Sequence, residues 1–92
     1  MKNKITKDTI EKYYKITKKA FDIAKKSVPK SKEKNADEII RMVECYLHDS
    51  IYFKNKKDYV NSFGAIYYAH GWIDCGARLK IFKVKDSDLF TI

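Results

Sequence analysis

One proline, Pro29, stands in this chain of 92 residues, and all three glycines, Gly64, Gly71 and Gly76, fall in one stretch near its C-terminal end. Turns and bulges are built largely from these two residue types, so a loop-rich or many-stranded fold lacks its punctuation here. Long helices remain. The length suits a single small domain, which buries about 60–70% of its unfolded-chain surface. Hydrophobic residues make up 45% of the chain, and seven Tyr, five Phe and one Trp carry much of that burial.

Apolar spacing places three helices. The first runs from about Thr6 to Ser27, with Asp8 and Glu11 fitting a variant of the capping box. Ile10, Tyr13, Thr17, Ala20, Phe21, Ala24 and Val28 share one face at ~100° per residue, and Lys12, Lys15, Lys18, Lys19, Lys25 and Lys26 take the other. Pro29 ends it, because it lacks an N–H and disfavours helical geometry in the residue before it. Lys30 to Lys34 reads as a solvated loop. The second helix starts at Asn35, with Glu38 at the matching cap position, and ends near Phe53 or Lys54. Its buried stripe is Ile39, Ile40, Met42, Val43, Tyr46, Leu47, Ser50 and Ile51, opposite Asp37, Arg41, Glu44 and His48.

The third helix runs from about Asp58 to Ile81 and is apolar almost all round. One side gathers Ala65, Ala69, Trp72, Ile73, Gly76 and Leu79; the other gathers Tyr59, Phe63, Tyr67, His70, Asp74 and Arg78. Such a helix is central in its bundle or covered by another chain. Each helix is about 28–35 Å long at 1.5 Å per residue. Matched lengths and short connections predict an all-α, up-down-up three-helix bundle over residues 1–82. Residues 83–92, ending on Leu89, Phe90 and Ile92, read as an extended tail packing back on the bundle.

The stretch from Lys57 to Leu79, with Phe63-Gly64-Ala65, His70-Gly71-Trp72 and Gly76-Ala77-Arg78 along it, resembles the signature of a small archaeal family catalogued as domain of unknown function 357. The ending Asp88-Leu89-Phe90-Thr91-Ile92 is similar to that family's usual ending. The resemblance implies an archaeal source and a three-helix bundle. It implies no activity and carries over no functional residues. Cys75 stands where the family pattern has a small residue, often Ala, which speaks against a special role for the thiol.

Charge is distributed unevenly. Residues 1–34 hold 12 Lys against Asp8, Glu11, Asp22 and Glu33, a net of +8, whereas residues 35–92 hold eight Lys or Arg against eight Asp or Glu. A local basic surface is an electrostatic footprint for phosphate or an acidic partner. Against that, the 20 basic residues are 18 Lys and two Arg, and oxyanion sites usually draw on the arginine fork. Glu11–Lys15 and Asp22–Lys26 have the i,i+4 spacing of a merely solvated face. Tyr14 alone borders the lysines, which makes a thin platform for stacking bases.

Candidate chemistry is sparse. Cys45 and Cys75 show no CxxC spacing. Counted from the turn near Lys56, His48 and His70 differ by ~9 Å along the bundle axis and the two cysteines by ~12 Å. One zinc ion needs its ligands within about 2.3 Å, and a disulfide needs Cα atoms within ~7 Å. No metal, cofactor or disulfide is therefore expected. His70 and Asp74, four apart on one face, are spaced as a general base and its orienting carboxylate. Glu44 and His48 share that spacing, and no activated nucleophile or phosphate loop joins either pair. No apolar segment follows the N-terminal lysines, and the uncharged run Tyr59–Ile73 falls short of the ~20 apolar residues of a span, so a cytoplasmic protein without a membrane partner is expected.

Three functional readings follow. The first is a non-catalytic helical module that binds another protein chain, a second copy of itself included, through the row Tyr59, Phe63, Tyr67, His70, Asp74 and Arg78. Aromatics with Arg are the composition of binding hot spots. The same row would equally suit packing against helix one or the tail. The second reading is weak, non-specific nucleic-acid or polyanion binding through Lys12, Lys15, Lys18, Lys19, Lys25 and Lys26. The third is an enzyme using His70 and Asp74.

Overall fold

The computed structural model describes residues 4–91. Three helices follow in order: α1 (Lys7–Lys25), α2 (Glu33–Asn55) and α3 (Tyr59–Arg78). They pack as an all-α three-helix bundle. The central element is α3, which packs most extensively on α2 and also along α1, while α1 and α2 touch less. Among the described residues no helix is long and apolar enough to cross a membrane.

Helix ends depart from the sequence reading in instructive ways. Thr6 caps α1, its Oγ1 accepting from the Thr9 N–H at 3.2 Å, so the Asp8–Glu11 pattern is not the cap. At the other end α1 stops at Lys25, and the Ser27 hydroxyl donates to the Ile23 carbonyl. Lys30–Lys32 is one 3₁₀ turn, closed by the Lys32 N–H donating to the Pro29 carbonyl at 2.9 Å, and α2 begins directly after it. The expected loop and the Asn35 start are thereby replaced. Proline cannot donate but its carbonyl can accept, and its fixed φ of −64° leads the chain into the turn. Asp58 caps α3, accepting from the Asn61 N–H.

Both α2 and α3 end in a Schellman motif whose left-handed residue is a lysine. Lys57 (φ 60°) and Lys80 (φ 59°) occupy the position glycine usually takes. After α2, the Asp58 N–H reaches the Phe53 carbonyl at 2.9 Å and the Lys57 N–H the Lys54 carbonyl. After α3, the Ile81 N–H reaches the Gly76 carbonyl at 2.8 Å and the Lys80 N–H the Ala77 carbonyl. The second motif shortens α3 to Arg78 and turns Ile81 and Phe82 back into the core.

The core is continuous through Phe21 and Ala24 of α1, Ile39, Val43 and Leu47 of α2, Ala69, Ile73 and Ala77 of α3, and Ile81, Phe82 and Phe90 beyond it. Gly76 makes this closure possible. A Cβ there would sit 2.6 Å from the Phe82 ring and 3.3 Å from Ile39 Cδ1. Two buried serines sit at the α2–α3 contact: Ser62 Oγ donates across it to the Ser50 carbonyl, and Ser50 Oγ donates within α2 to the Leu47 carbonyl, each at 2.7 Å. Three residues placed inward by spacing alone lie outside. Trp72 and Leu79 are exposed because the buried arc of α3 centres on Ala65, Ala69, Ile73 and Gly76 and turns them away, and Ile51 is exposed because the buried arc of α2 runs through Ile39, Val43, Leu47 and Ser50.

Candidate functional site

The third-helix row is divided between the chain's own packing and solvent. Phe63 lies edge-on to Tyr13 of α1 with ring centroids 5.4 Å apart, and edge-on to Tyr67 at 4.7 Å. Tyr59, Phe63, His70 and Asp74 are half-buried; Tyr67 and Arg78 are exposed. A small cavity between α1, α3 and the tail is lined by Tyr13, Thr17, Phe63, Tyr67, His70 and Asp88, among others.

His70 is the centre of a tail latch. Its Nδ1 meets the Thr17 hydroxyl at 2.9 Å and its Nε2 the Leu89 carbonyl at 2.8 Å. A carbonyl only accepts, so Nε2 carries the proton, and a neutral ring then takes the Thr17 proton on Nδ1. Thr17 is itself buried. Asp74 Oδ1 is 3.7 Å from Nε2, too far for a hydrogen bond, and its carboxylate is turned to the tail instead. It accepts from the Thr91 N–H at 3.0 Å and the Thr91 hydroxyl at 3.2 Å. Both ring nitrogens and the carboxylate thus have partners in the chain.

The tail closes over this latch. The Lys83 N–H donates to the Ser27 carbonyl at 2.7 Å, which ties the tail to the end of α1. It is not extended throughout: Phe90 and Leu89 donate to the Asp86 carbonyl in a turn, and the Asp86 side chain accepts from the Asp88 N–H. That turn drives Phe90 into the core. Ile92, counted among the tail's apolar anchors, lies outside the described residues. The sequence signal for the latch was slight, since the Leu89 group involved is a backbone carbonyl.

The lysine face of α1 is partly occupied as well. Asp22 pairs with Lys18 at 2.8 Å and with Lys25 at 3.6 Å, not with Lys26, and Glu11 approaches Lys7 at 4.0 Å, not Lys15. The choice has a physical cause: Lys18 and Lys25 also lie over the Phe21 ring, at 5.6 and 4.5 Å from its centroid, which draws both to the Asp22 side. The Lys18 hydrogen bond holds the Asp22 carboxyl below the usual carboxylate range, and the same bond holds the Lys18 ammonium above its ordinary value. Lys12 lies 5.7 Å from the Tyr13 ring centroid, and Lys15, Lys19 and Lys26 are exposed. Cys45 and Cys75 are exposed free thiols, and among the described residues no three His, Cys, Asp or Glu converge as metal ligands.

What sequence spacing missed is the outer face of α3. Val60, Tyr67, Tyr68 and Leu79 are 71%, 60%, 66% and 62% exposed, and Trp72 is also open to solvent. Gly64, Gly71 and Cys75 lie among them, likewise exposed. Tyr67 flanks one side of a shallow groove floored by Gly71 and Cys75, and Tyr68 and Trp72 flank the other. The Tyr68 ring stacks on Tyr46 of α2, centroids 5.3 Å apart. A Cβ at Gly64 or Gly71 would meet nothing within 4 Å. The chain's own packing therefore does not require glycine at either site, although each costs about 1 kcal/mol against alanine in a helix interior. Among the nine exposed positions of α3 only Arg78 is charged, in a chain that is 35% charged.

No curated protein and no solved structure matches this chain. A family model, described as protein of unknown function (DUF357), matches residues 12–82, a span that takes in most of α1, all of α2 and α3, and Gly76 with the Phe82 it accommodates. The tail beyond Phe82 lies outside that match. With most of its length covered, the chain belongs to the DUF357 family of proteins of unknown function.

Proposed function

We propose that this protein is a non-catalytic, cytoplasmic helical module that binds another protein chain through the outer face of α3. One observation carries the reading: a strip running the length of α3, with Val60, Tyr67, Tyr68, Trp72 and Leu79 exposed and no charge before Arg78. Scattered exposed apolar residues are ordinary on any surface, but a contiguous strip of them marks an interaction site. Rigid aromatics beside an arginine supply the contacts that dominate binding energy. The surface proposed is thus turned from the row Tyr59, Phe63, Tyr67, His70, Asp74 and Arg78, sharing Tyr67 and Arg78 with it. The non-catalytic part is supported by His70 and Asp74, whose polar atoms serve the tail latch.

The test is a photo-reactive benzoylphenylalanine placed at Tyr68, compared with the same group at Lys19 on the outer face of α1, both in cells of the native host. Protein adducts from the Tyr68 position and few from Lys19 are expected. Nucleic-acid adducts at Lys19 with none of protein at Tyr68 would overturn the reading in favour of the polyanion alternative. The absence of adducts at both positions would overturn it too.

A further inference from the structure

The outer face of α3 narrows the partner further. Its exposed positions, with the C-cap residue Leu79 included, are 60, 61, 64, 67, 68, 71, 72, 75, 78 and 79. Reversing the helix about the level midway between Ala69 and His70 carries this set onto itself: 60 comes opposite 79, 61 opposite 78, 64 opposite 75, 67 opposite 72 and 68 opposite 71. Any helix face spaced by threes and fours has some of this symmetry in position. The residue types at those positions are what favour self-pairing.

At the axis a large ring meets a missing side chain, Tyr68 opposite Gly71, twice by symmetry. Outward, Gly64 opposes Cys75, so two small residues let the backbones approach. Tyr67 opposes Trp72, and Val60 opposes Leu79. At each end Arg78 comes level with Asn61, whose Nδ2 donates to Asp58 Oδ2 at 2.7 Å. Asp58 lies three residues further along, ~4.5 Å by the helix rise and within the span of an arginine side chain. Each end of the pairing thus matches a cation with a carboxylate.

Resting on the protein-binding reading above, we infer that α3 pairs antiparallel with α3 of a second copy of this chain, about a two-fold axis at that level, with Tyr68 of each copy seated on Gly71 of the other. Such an interface is isologous and closes at two. The net charge of +8 makes two copies repel. That excess resides in residues 1–34, and the nearly uncharged strip on α3 is where copies meet with least repulsion. The area sets the strength. A 20-residue helix presents a strip about 30 Å long and about 10–12 Å wide, which places the pair among interfaces below about 1,200 Å² in total. The dimer is accordingly weak, half-assembled at roughly 10–100 μM, and added salt strengthens it by screening the net repulsion.

Sedimentation equilibrium from ~1 μM to ~1 mM tests this, at the tenfold per 1.4 kcal/mol scale of affinity. The wild-type chain passes from monomer to dimer across that range. Gly71→Lys raises the midpoint at least ~30-fold while melting no lower than wild type, because the monomer leaves open space at that Cβ. Lys19→Glu leaves the midpoint within ~3-fold or lowers it, as the net charge falls by two on each copy and reduces the repulsion. Register is read separately by mild oxidation of Gly64→Cys in a Cys45→Ser background, which gives a cross-link to Cys75 of the second copy. Without Gly64→Cys the cross-link is lost, since the two Cys75 residues stand ~16 Å apart along the axis. A wild-type chain monomeric to 1 mM overturns self-pairing, while protein adducts at Tyr68 of a mass other than this chain's would still uphold the broader reading. A dimer indifferent to Gly71→Lys, or cross-linked through Cys75 alone, overturns the register and the axis.

Discussion

The two long faces of α3 use glycine in opposite ways. On the inner face Gly76 stands where a Cβ would collide with the Phe82 ring at 2.6 Å, and its carbonyl accepts from both Ile81 and Phe82. On the outer face Gly64 and Gly71 have nothing within 4 Å of where a Cβ would be. The inner glycine is required by the fold of this one chain. The outer two lower helix stability without any compensation the chain itself provides. A missing side chain is thus a packing device on one side and, on the other, a feature whose rationale lies outside the monomer.

The sharpest way to break this comparison is to add a methyl group at each glycine. Gly76→Ala forces the buried Phe82 ring to move, and overpacking of this kind costs about 1–3 kcal/mol. For a domain of this size that lowers the melting temperature by about 4–8 °C for each kcal/mol. Gly64→Ala and Gly71→Ala are expected to go the other way, each raising stability by up to about 1 kcal/mol through helix propensity. Melting curves of the three variants at low protein concentration decide the matter. A Gly76→Ala protein as stable as wild type would show that Phe82 relaxes freely, and the contrast between the faces would lose its physical basis.

A second, smaller effect tests how far the inner face extends into the tail. Phe90 is buried, and burying a Phe side chain contributes about 1.5–3 kcal/mol. Ordering the residues that carry it opposes this, at about 1–2 kcal/mol of backbone entropy per residue. The latch bonds of His70 and Asp74 add to the favourable side. A terminal segment can also undock, so no single substitution in it costs more than the whole docking free energy. Phe90→Ala and truncation after Asp86 are therefore expected to lower the melting temperature by similar amounts, several degrees each. Phe90→Ala costing clearly more than truncation would show that Phe90 holds the bundle itself and not only the tail.

The parts of this molecule legible from the chain are those where one face differs chemically from the other. In α1, lysines oppose Ile10, Thr17, Ala20, Phe21 and Ala24, and all five of those are buried as their spacing predicts. In α2, Ile39, Val43, Leu47 and Ser50 are likewise buried. Apolar residues run almost all round α3, so a helical wheel cannot tell its inside from its outside. For that reason the spacing places Trp72 and Leu79 inward, and it leaves undecided whether the row through Phe63, His70 and Asp74 faces a partner or its own chain; α1 and the tail half-cover it. Side-chain size was the better guide, since Ala65, Ala69 and Gly76 mark the close approach to α2. Backbone features left no such trace. Lysine at the left-handed positions 57 and 80 hid both Schellman ends, and the latch ends on a backbone carbonyl.

The smallest expected effect sets the outer face of α3 against an ordinary one. On α1, Lys18 and Lys25 hold the Asp22 carboxyl, whose folded-state pKa is depressed, chiefly by the Lys18 hydrogen bond. The stability it contributes is present above the unfolded carboxylate value near pH 3.9 and is lost as pH falls through the lower folded value. Lys18 is raised by the same bond, so its contribution is present below pH 10.5 and lost as pH rises through the folded value. Both groups are exposed, and exposed pairs contribute at most about 1 kcal/mol and often nothing measurable. Asp22→Asn is accordingly expected to lower the melting temperature slightly at pH 7 and not at all at pH 2, with the pH 7 gap shrinking in high salt. A gap that persisted at pH 2 would mean that Asp22 acts through something other than its charge. Self-pairing through α3 is expected to respond in the opposite sense to salt, because its strip carries little charge while the two copies carry the same sign. Measured together, the two salt dependences separate a face that is merely solvated from one that waits for a partner.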